Sequence, residues 1–309
     1  MQPNFYTIKE ASDFLNVSEI TIKRYISKNI IPSIKIGGAR RIEKDSLAYL
    51  LTLSKKPKKE ARDKITKDGL KNKIFNDDCI KIMSSIEDES IDLIFADPPY
   101  NLSKSNFKIK FTKSGGKDLY TNKGLWDIID NYELFTKKWI DEAFRILKKN
   151  GAIWVAGTYH SIYTTGYLLE KTGFELLNEI LWHKTDATPN LSCTRFVADH
   201  ENFIWARKGK GNIFNYDLMK KDNDGKQMRS IWPKGKTFGG KKIHPTQKPE
   251  WLLERIIKST TNSGDIVFDP FLGSGTTAVV AKRMNRFYSG CEIDNAFYKM
   301  SIDRIKNKT

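Results

Sequence analysis

The chain has 309 residues and a net charge of +16, with an isoelectric point near 9.5 and a mean hydropathy of −0.52. No apolar run approaches the ~20 residues a membrane span needs, and Cys79, Cys193 and Cys291 form neither a disulfide framework nor a paired metal motif. The excess of base points to a polyanionic partner, nucleic acid first, and the cysteine usage fits a reducing cytosol.

Residues 1–53 read as a module of their own. Thr7-Ile8-Lys9-Glu10 has capping-box spacing, which predicts a helix start, and Ile8, Ala11, Phe14 and Leu15 share one face. Asn16 tolerates the left-handed conformation that ends such a helix. Ser18 caps a second predicted helix, with Ile22 and Ile26 on one face and Thr21, Lys23 and Arg24 on another. Residues 34–42 read as a hairpin that turns at Gly37-Gly38 and carries Arg40 and Arg41. A last helix carries Leu47, Tyr49, Leu50 and Leu51. The pattern resembles the winged helix-turn-helix of the excisionase and MerR type. That resemblance implies a second helix in the DNA major groove and a basic wing on the backbone. A packing or dimerisation unit is the plainer alternative.

Residues 54–72 read as a basic linker, with Lys55, Lys56, Lys58, Lys59, Arg62, Lys64 and Lys67 around Pro57 and Gly69. An α/β domain is predicted over 73–309. It opens with a strand at 73–75, the acidic loop Asn76-Asp77-Asp78-Cys79 and a helix over 80–86. The apolar run 91–96 predicts a buried strand. Asp97-Pro98-Pro99-Tyr100 then ends it, because two prolines cannot extend a central strand. Residues 101–126 read as a polar loop around Gly115-Gly116. An amphipathic helix over 132–149 stops at Asn150-Gly151, and a strand follows at 152–157. A helix near 161–171 and a strand over 179–182 come next. Residues 186–243 read as irregular, basic and aromatic, with Arg195, Trp205, Arg207, Lys208, Lys210, Trp232 and Phe238, a content suited to reading nucleic acid. The end of the chain is a β-α-β unit: a strand at 265–268, the turn Asp269-Pro270-Phe271-Leu272-Gly273-Ser274-Gly275-Thr276-Thr277, a helix and a strand at 287–292.

Two stretches carry chemistry. Gly273 and Gly275 let a ligand approach the backbone at a helix start, and Glu292 ends the next strand, where a carboxylate can accept from ribose hydroxyls. A tight strand–helix turn with a surface Glu is the alternative. Asp97-Pro98-Pro99-Tyr100 supplies a carboxylate, a backbone carbonyl and an aromatic ring within one turn. The exocyclic amino group of a base is a poor nucleophile, since its lone pair is delocalised into the ring. Acceptors on both its N–H hydrogens concentrate that lone pair, and a ring can stack on a base that has left its duplex.

The order of these motifs resembles the β class of S-adenosylmethionine-dependent amino-DNA methyltransferases, in which the catalytic stretch precedes the cofactor stretch. His244-Pro245-Thr246-Gln247-Lys248-Pro249 belongs to the same pattern, and Asn76-Asp77-Asp78-Cys79 resembles its Gly-Asp-Cys loop, with Asp77 where Gly is usual. Asn190-Leu191-Ser192-Cys193, Phe214-Asn215-Tyr216-Asp217-Leu218-Met219 and Asp224-Gly225-Lys226-Gln227 are similar to the subgroup that methylates adenine in GATC or GANTC sites.

The resemblance implies a doubly wound, mostly parallel α/β sheet of seven strands, with a target-recognition region at about 186–243. Asp97 and the Pro98 carbonyl, in the turn completed by Pro99, would orient the N6 of a flipped adenine, and Tyr100 would stack. Asp78, Asp269, Phe271, Gly273, Ser274, Gly275, Thr276 and Glu292 would hold S-adenosyl-L-methionine, with Thr246 and Lys248 near its methionine end. Asn190 and Arg195 would face DNA, and no metal is implied. The implied setting is the bacterial cytoplasm, on the nucleoid and away from membranes. The implied partners are duplex DNA, with single-stranded DNA as an alternative, a cognate restriction endonuclease, and a second copy in a homodimer. The absence of Pro-Cys excludes the thiolate route to cytosine carbon. Cytosine N4 methylation, RNA amino methylation, and a helix-turn-helix regulator with a nucleoside-sensing domain are the competing readings.

Overall fold

Thr7 opens the first helix through a closed capping box: its Oγ1 accepts from Glu10 N at 3.1 Å, and its own N–H donates to Glu10 Oε2 at 2.7 Å. The computed structural model describes residues 5–27, 31–44, 46–47, 64–100, 108–109, 119–120, 129, 131–187, 189, 193–235 and 247–307. It divides the chain into two units, Met1–Asp63 and Lys64–Thr309.

In the first unit, α1 (Ile8–Leu15) ends at Asn16 with φ 52°, and α2 (Glu19–Ser27) follows. Strands β1 (Phe5–Tyr6), β2 (Ile34–Ile36) and β3 (Ala39–Glu43) form an antiparallel sheet in the order β1-β3-β2. Gly37 and Gly38, at φ 57° and 79°, make the two-residue turn of the hairpin. Ala11, Ile22, Ile26, Ile31, Ile42 and Leu47 pack as its core. Tyr49, Leu50 and Leu51 lie outside the described residues. Lys23, Arg24 and Arg40 are exposed, and Thr21 and Arg41 are half-buried.

The second unit starts before the predicted strand. Lys64 pairs with Asp88 at 2.7 Å, Ile65 bridges to Ile86, and Leu70 in α3 (Lys67–Leu70) is fully buried. Lys64 onward is therefore docked and does not extend the linker expected over 54–72. The elements that follow are β4 (Lys73–Phe75), α4 (Cys79–Ser85), β5 (Ile91–Ala96), the short pair β6 (Lys108–Ile109) and β7 (Leu119–Tyr120), α5 (Tyr132–Ile146), β8 (Leu147–Gly157), α6 (Ile162–Thr172), β9 (Glu175–His183), β10 (His200–Arg207), α7 (Tyr216–Lys221), β11 (Ile231–Pro233), α8 (Glu250–Thr260), β12 (Ile266–Asp269), α9 (Thr276–Arg283), β13 (Phe287–Cys291) and α10 (Asn295–Asn307).

The main sheet has the order β11-β9-β10-β8-β5-β12-β13-β4. Among the described residues the sheet has eight strands, against the seven expected. The additional one is the three-residue β11, parallel to β9. Among the described strands, only β10 runs against its neighbours, β8 and β9. The helix expected to run to 149 ends at Ile146, because Leu147 already pairs with Ile91 at the start of β8. The stretch expected as irregular, 186–243, contains β10, a strand inside the sheet.

Both faces of the sheet are covered, so its strands read as apolar runs rather than as alternations. Along β5, Ile94 and Ala96 pack with Trp139, Ile140 and Leu169 on one face. Leu93 and Phe95 pack with Trp154, Phe203, Leu252 and Ile256 on the other. Each fully buried Leu, Ile or Phe among them contributes ~1.5–3 kcal/mol. The decisive consequence is topological. β12 pairs parallel with β5, so the turns after both strands leave the sheet at the same edge. The two chemically loaded stretches, far apart in sequence, become neighbours.

Candidate active site

Asp97 sits at the carboxyl end of β5 with both carboxylate oxygens engaged. Tyr100 Oη donates to Oδ1 at 2.6 Å, and Lys248 Nζ donates to Oδ2 at 2.6 Å. Lys248 also donates to Tyr100 Oη at 3.2 Å and lies 3.3 Å from Glu201 Oε2. Glu201 Oε1 accepts from Lys184 Nζ at 2.5 Å. The four side chains form an alternating chain of charge, Asp97–Lys248–Glu201–Lys184. Burial opposes ionisation of Glu201, yet the two ammonium groups outweigh it and hold the carboxyl down at about 2. Burial likewise opposes the charge on Lys248, and Asp97 and Glu201 outweigh it, so its affinity for the proton is raised. Burial and the neighbouring carboxylates push the Tyr100 phenol up, which keeps it a donor.

Beside Asp97 a cavity of about 270 Å³ runs along the edge to the turn after β12. Asp77, Asp78, Asp97, Asp269 and Glu292 line it together with Phe271 and Gly273. Asp269 is buried and accepts from Phe271 N at 2.9 Å and Thr277 Oγ1 at 2.6 Å; burial still pushes it up, to about 7. Glu292 accepts from the N–H groups of Gly273 and Asp294, each at 2.8 Å, and burial raises its carboxyl too. Asn76 donates to the Glu292 carbonyl at 2.8 Å and so ties the acidic loop to the end of β13. A cavity with this many carboxylates suits a ligand that carries positive charge and hydroxyl donors.

The individual residues divide between lining and support. Asp78 lines the cavity and also caps α4 by accepting from Lys81 N at 3.0 Å. Asp77, where the related loop has Gly, pairs with Lys81 and accepts from Asp78 N. Phe271 lines the cavity and packs edge-on to Trp139 at 5.6 Å. Ser274 and Thr276 line it as well, and Arg304 donates to Thr276 Oγ1 at 2.8 Å and to Glu250 at 2.9 Å. Gly275 does not line it. Its φ is 80°, and a Cβ there would lie 2.9 Å from Ser301 Cβ, so its role is close packing of α10.

Pro99 lines the cavity, whereas Pro98 and Tyr100 do not. The ring expected as a stacking platform, Tyr100, is buried, and its hydroxyl donates to Asp97. Thr246 and Asn190 lie outside the described residues, and Arg195 is exposed between β9 and β10. Cys79 and Cys291 line the cavity, but burial pushes both thiols up, so neither supplies a thiolate. Glu201 and Lys184 escaped the sequence reading. The available signal was an acid just ahead of the apolar run 203–206, at the edge where a strand meets ligand.

A family model described as DNA methylase matches residues 91–303, and one described as helix-turn-helix domain matches 5–52. The chain belongs to this DNA methylase family. It is 45% identical over 249 residues to the Type II methyltransferase M2.DpnII of Streptococcus pneumoniae, covering 76% of this chain and 91% of that one. It is also 45% identical over 239 residues to the Type II methyltransferase M2.LlaDCHI of Lactococcus lactis subsp. cremoris, covering 74% and 87%. Among solved structures, the M1.HpyAVI–SAM complex matches with TM-score 0.57 and 26% identity, over 75% of this chain and 98% of that one. The cytosine-N4-specific PvuII DNA methyltransferase matches with TM-score 0.61 at 18% identity, over 77% and 92%, a likeness of fold. The DNA methylase unit thus follows a helix-turn-helix domain in one chain.

Proposed function

We propose that the second unit transfers a methyl group from S-adenosyl-L-methionine to the N6 amino group of adenine in DNA, as the modification arm of a restriction system. The observation that carries this reading is Asp97. It stands at the end of an acid-lined cavity, and an ammonium already donates to the oxygen that a base amino group would use.

The bound cofactor supplies a sulfonium-activated, electrophilic methyl group. Everything else falls to this chain. Glu292 and Asp78, which line the cavity, would accept from the ribose hydroxyls and the adenine amino group of the cofactor, and the buried Asp269 would meet its ammonium. Asp97 accepts one N–H of the target amino group and the Pro98 carbonyl the other. Together they aim the nitrogen lone pair, and positioning of this kind is a large part of the barrier reduction in a direct transfer. For the base to reach Oδ2, Lys248 must withdraw. Glu201 keeps that ammonium paired when it does. The methylated nitrogen must shed a proton, and Asp97 is the acceptor within hydrogen-bond reach.

In the first unit, Thr21, Lys23 and Arg24 on α2 are the proposed major-groove contacts, with Arg40 and Arg41 on the wing. Arg195 is proposed to meet the DNA near the reacting base. A cognate endonuclease, a homodimer and a place on the nucleoid belong to the same reading. Co-purification and sedimentation test the first two. The reaction is tested by incubating duplex DNA, single-stranded DNA and RNA with the cofactor and analysing the nucleosides by mass spectrometry. N6-methyladenine in DNA is expected. N4-methylcytosine would change the base, and product in RNA alone would change the polymer.

A further inference from the structure

A second cleft lies beside β11, the strand at one end of the sheet order, four strands from β5 and five from β12. β11 runs parallel to β9, and β9 runs in the direction of β8 and β5, so the end of β11, where Pro233 and Lys234 line the cleft, lies at the sheet edge that carries Asp97. Lys234 N donates to His183 O at 3.0 Å and Trp182 Nε1 to Lys234 O at 2.7 Å, which fixes its rim. The cleft encloses about 730 Å³, and Lys226, Gln227, Arg229, Trp232, Lys234 and Arg255 line it. Among the described residues, no carboxylate does.

Arg255 decides what the cleft can take. Its guanidinium packs over the Trp232 ring at 4.8 Å and the Trp251 ring at 5.4 Å. Burial lowers its affinity for the proton, and Asp222 offsets this only through space. Asp222 is itself paired with Lys258 at 2.6 Å. Arg145, Arg207, Arg286 and Arg304 all donate to oxygen acceptors. Among the described residues, Arg255 donates to none. Arg255 is half-buried and its five N–H donors meet no protein acceptor among those residues, so they are left to solvent or to an anion that enters the cleft.

We propose that this cleft binds a backbone phosphate of the substrate DNA, with Arg255 and Arg229 as forked donors and Lys226 and Lys234 as supporting charge. The proposal rests on the DNA methylase reading and adds to it a contact remote from the reacting base. Four cations offer donors only, which suits a phosphate, whereas the edge of a base presents acceptors and donors together. β11 is four strands from β5, ~19 Å at ~4.8 Å per strand. That span corresponds to roughly five to six base steps of a duplex at 3.4 Å each.

The test uses the full-length protein and two variants, Lys226→Gln/Arg229→Gln and Arg255→Lys. Dissociation constants are measured for a target duplex and a scrambled duplex between about 50 and 200 mM salt. The double variant is expected to weaken both duplexes by the same factor and to flatten the log–log salt slope by about 1 per lost contact. Arg255→Lys, which keeps the charge and loses the fork, is expected to weaken both duplexes while cofactor affinity is unchanged. An unchanged slope in a double variant that still methylates DNA overturns the cleft alone. Loss confined to the target duplex assigns the cleft to base reading and also overturns it. A wild-type protein that neither binds nor methylates DNA overturns the methylase reading itself.

Discussion

Replacing Glu201 with Gln removes one charge from the chain of four behind Asp97. The Glu201 carboxyl is held at about 2 against its ordinary 4.5, because Lys184 and Lys248 outweigh the cost of burying it. That difference is worth about 3 kcal/mol of folding stability at pH 7. The folded value lies below the unfolded one, so the contribution is complete above pH 4.5 and is lost as pH falls towards 2. Glu201→Gln is therefore expected to lower the unfolding free energy by about 3 kcal/mol at pH 7, a fall in Tm of roughly 6–12 °C for a unit of this size. The gap between the proteins should narrow to about half by pH 3. Activity should fall as well. With Glu201 neutral, Lys248 has Asp97 as its one remaining anion, and the base must break that charge-assisted bond, worth ~1.5–3 kcal/mol, to reach Oδ2. A fall in kcat of roughly 10–100-fold follows, with cofactor affinity little changed. Urea melts at pH 7 and pH 3 and steady-state methylation supply the data. Equal stability at pH 7, or a gap that widens in acid, would refute the reasoning.

Asp269→Asn is expected to stabilise the cofactor-free protein. The carboxyl is raised to about 7 from 3.8, so its burial costs nothing below pH 3.8 and progressively more as pH rises through 7. The gain should approach about 4 kcal/mol at pH 8 and be smaller at pH 5. The same variant should bind S-adenosyl-L-methionine more than 10-fold more weakly by calorimetry, since it cannot meet an ammonium. A variant less stable than wild type at pH 8 would contradict this account. Tyr100→Phe removes the hydrogen bond to Asp97 Oδ1 but keeps the buried ring. It should melt within about 1.5 kcal/mol of wild type and lose roughly 10-fold in kcat, whereas unchanged kcat would show that the hydroxyl does not set Asp97.

The parts of the site legible in sequence were those that local chemistry forces. Asp97-Pro98-Pro99 could only end a strand, and Gly273 and Gly275 could only begin a tight helix turn. The Thr7–Glu10 box and the Gly37-Gly38 hairpin are equally local. What escaped was set by tertiary contact. β10 is an apolar run that looks alike in a loop and in a buried strand, and only its pairing with β8 and β9 decides between them. Missing that strand hid Glu201 at its head. Phe5–Tyr6 and Ile231–Pro233 are too short to show a period and are strands because neighbours exist to pair them. The sequence shows Tyr100 as an aromatic ring but not its burial. Its hydroxyl bond to Asp97 depends on a turn that brings the two side chains within 2.6 Å.

The central claim is that Asp97 directs methyl transfer to adenine N6. It is tested most directly by nucleoside mass spectrometry of DNA incubated with S-adenosyl-L-methionine and either wild-type protein or a folded Asp97→Ala variant. N6-methyladenine is expected with wild type and, for the variant, at least a 100-fold lower rate with cofactor binding retained. Equal product from both proteins, or methyl groups on cytosine alone, would contradict it.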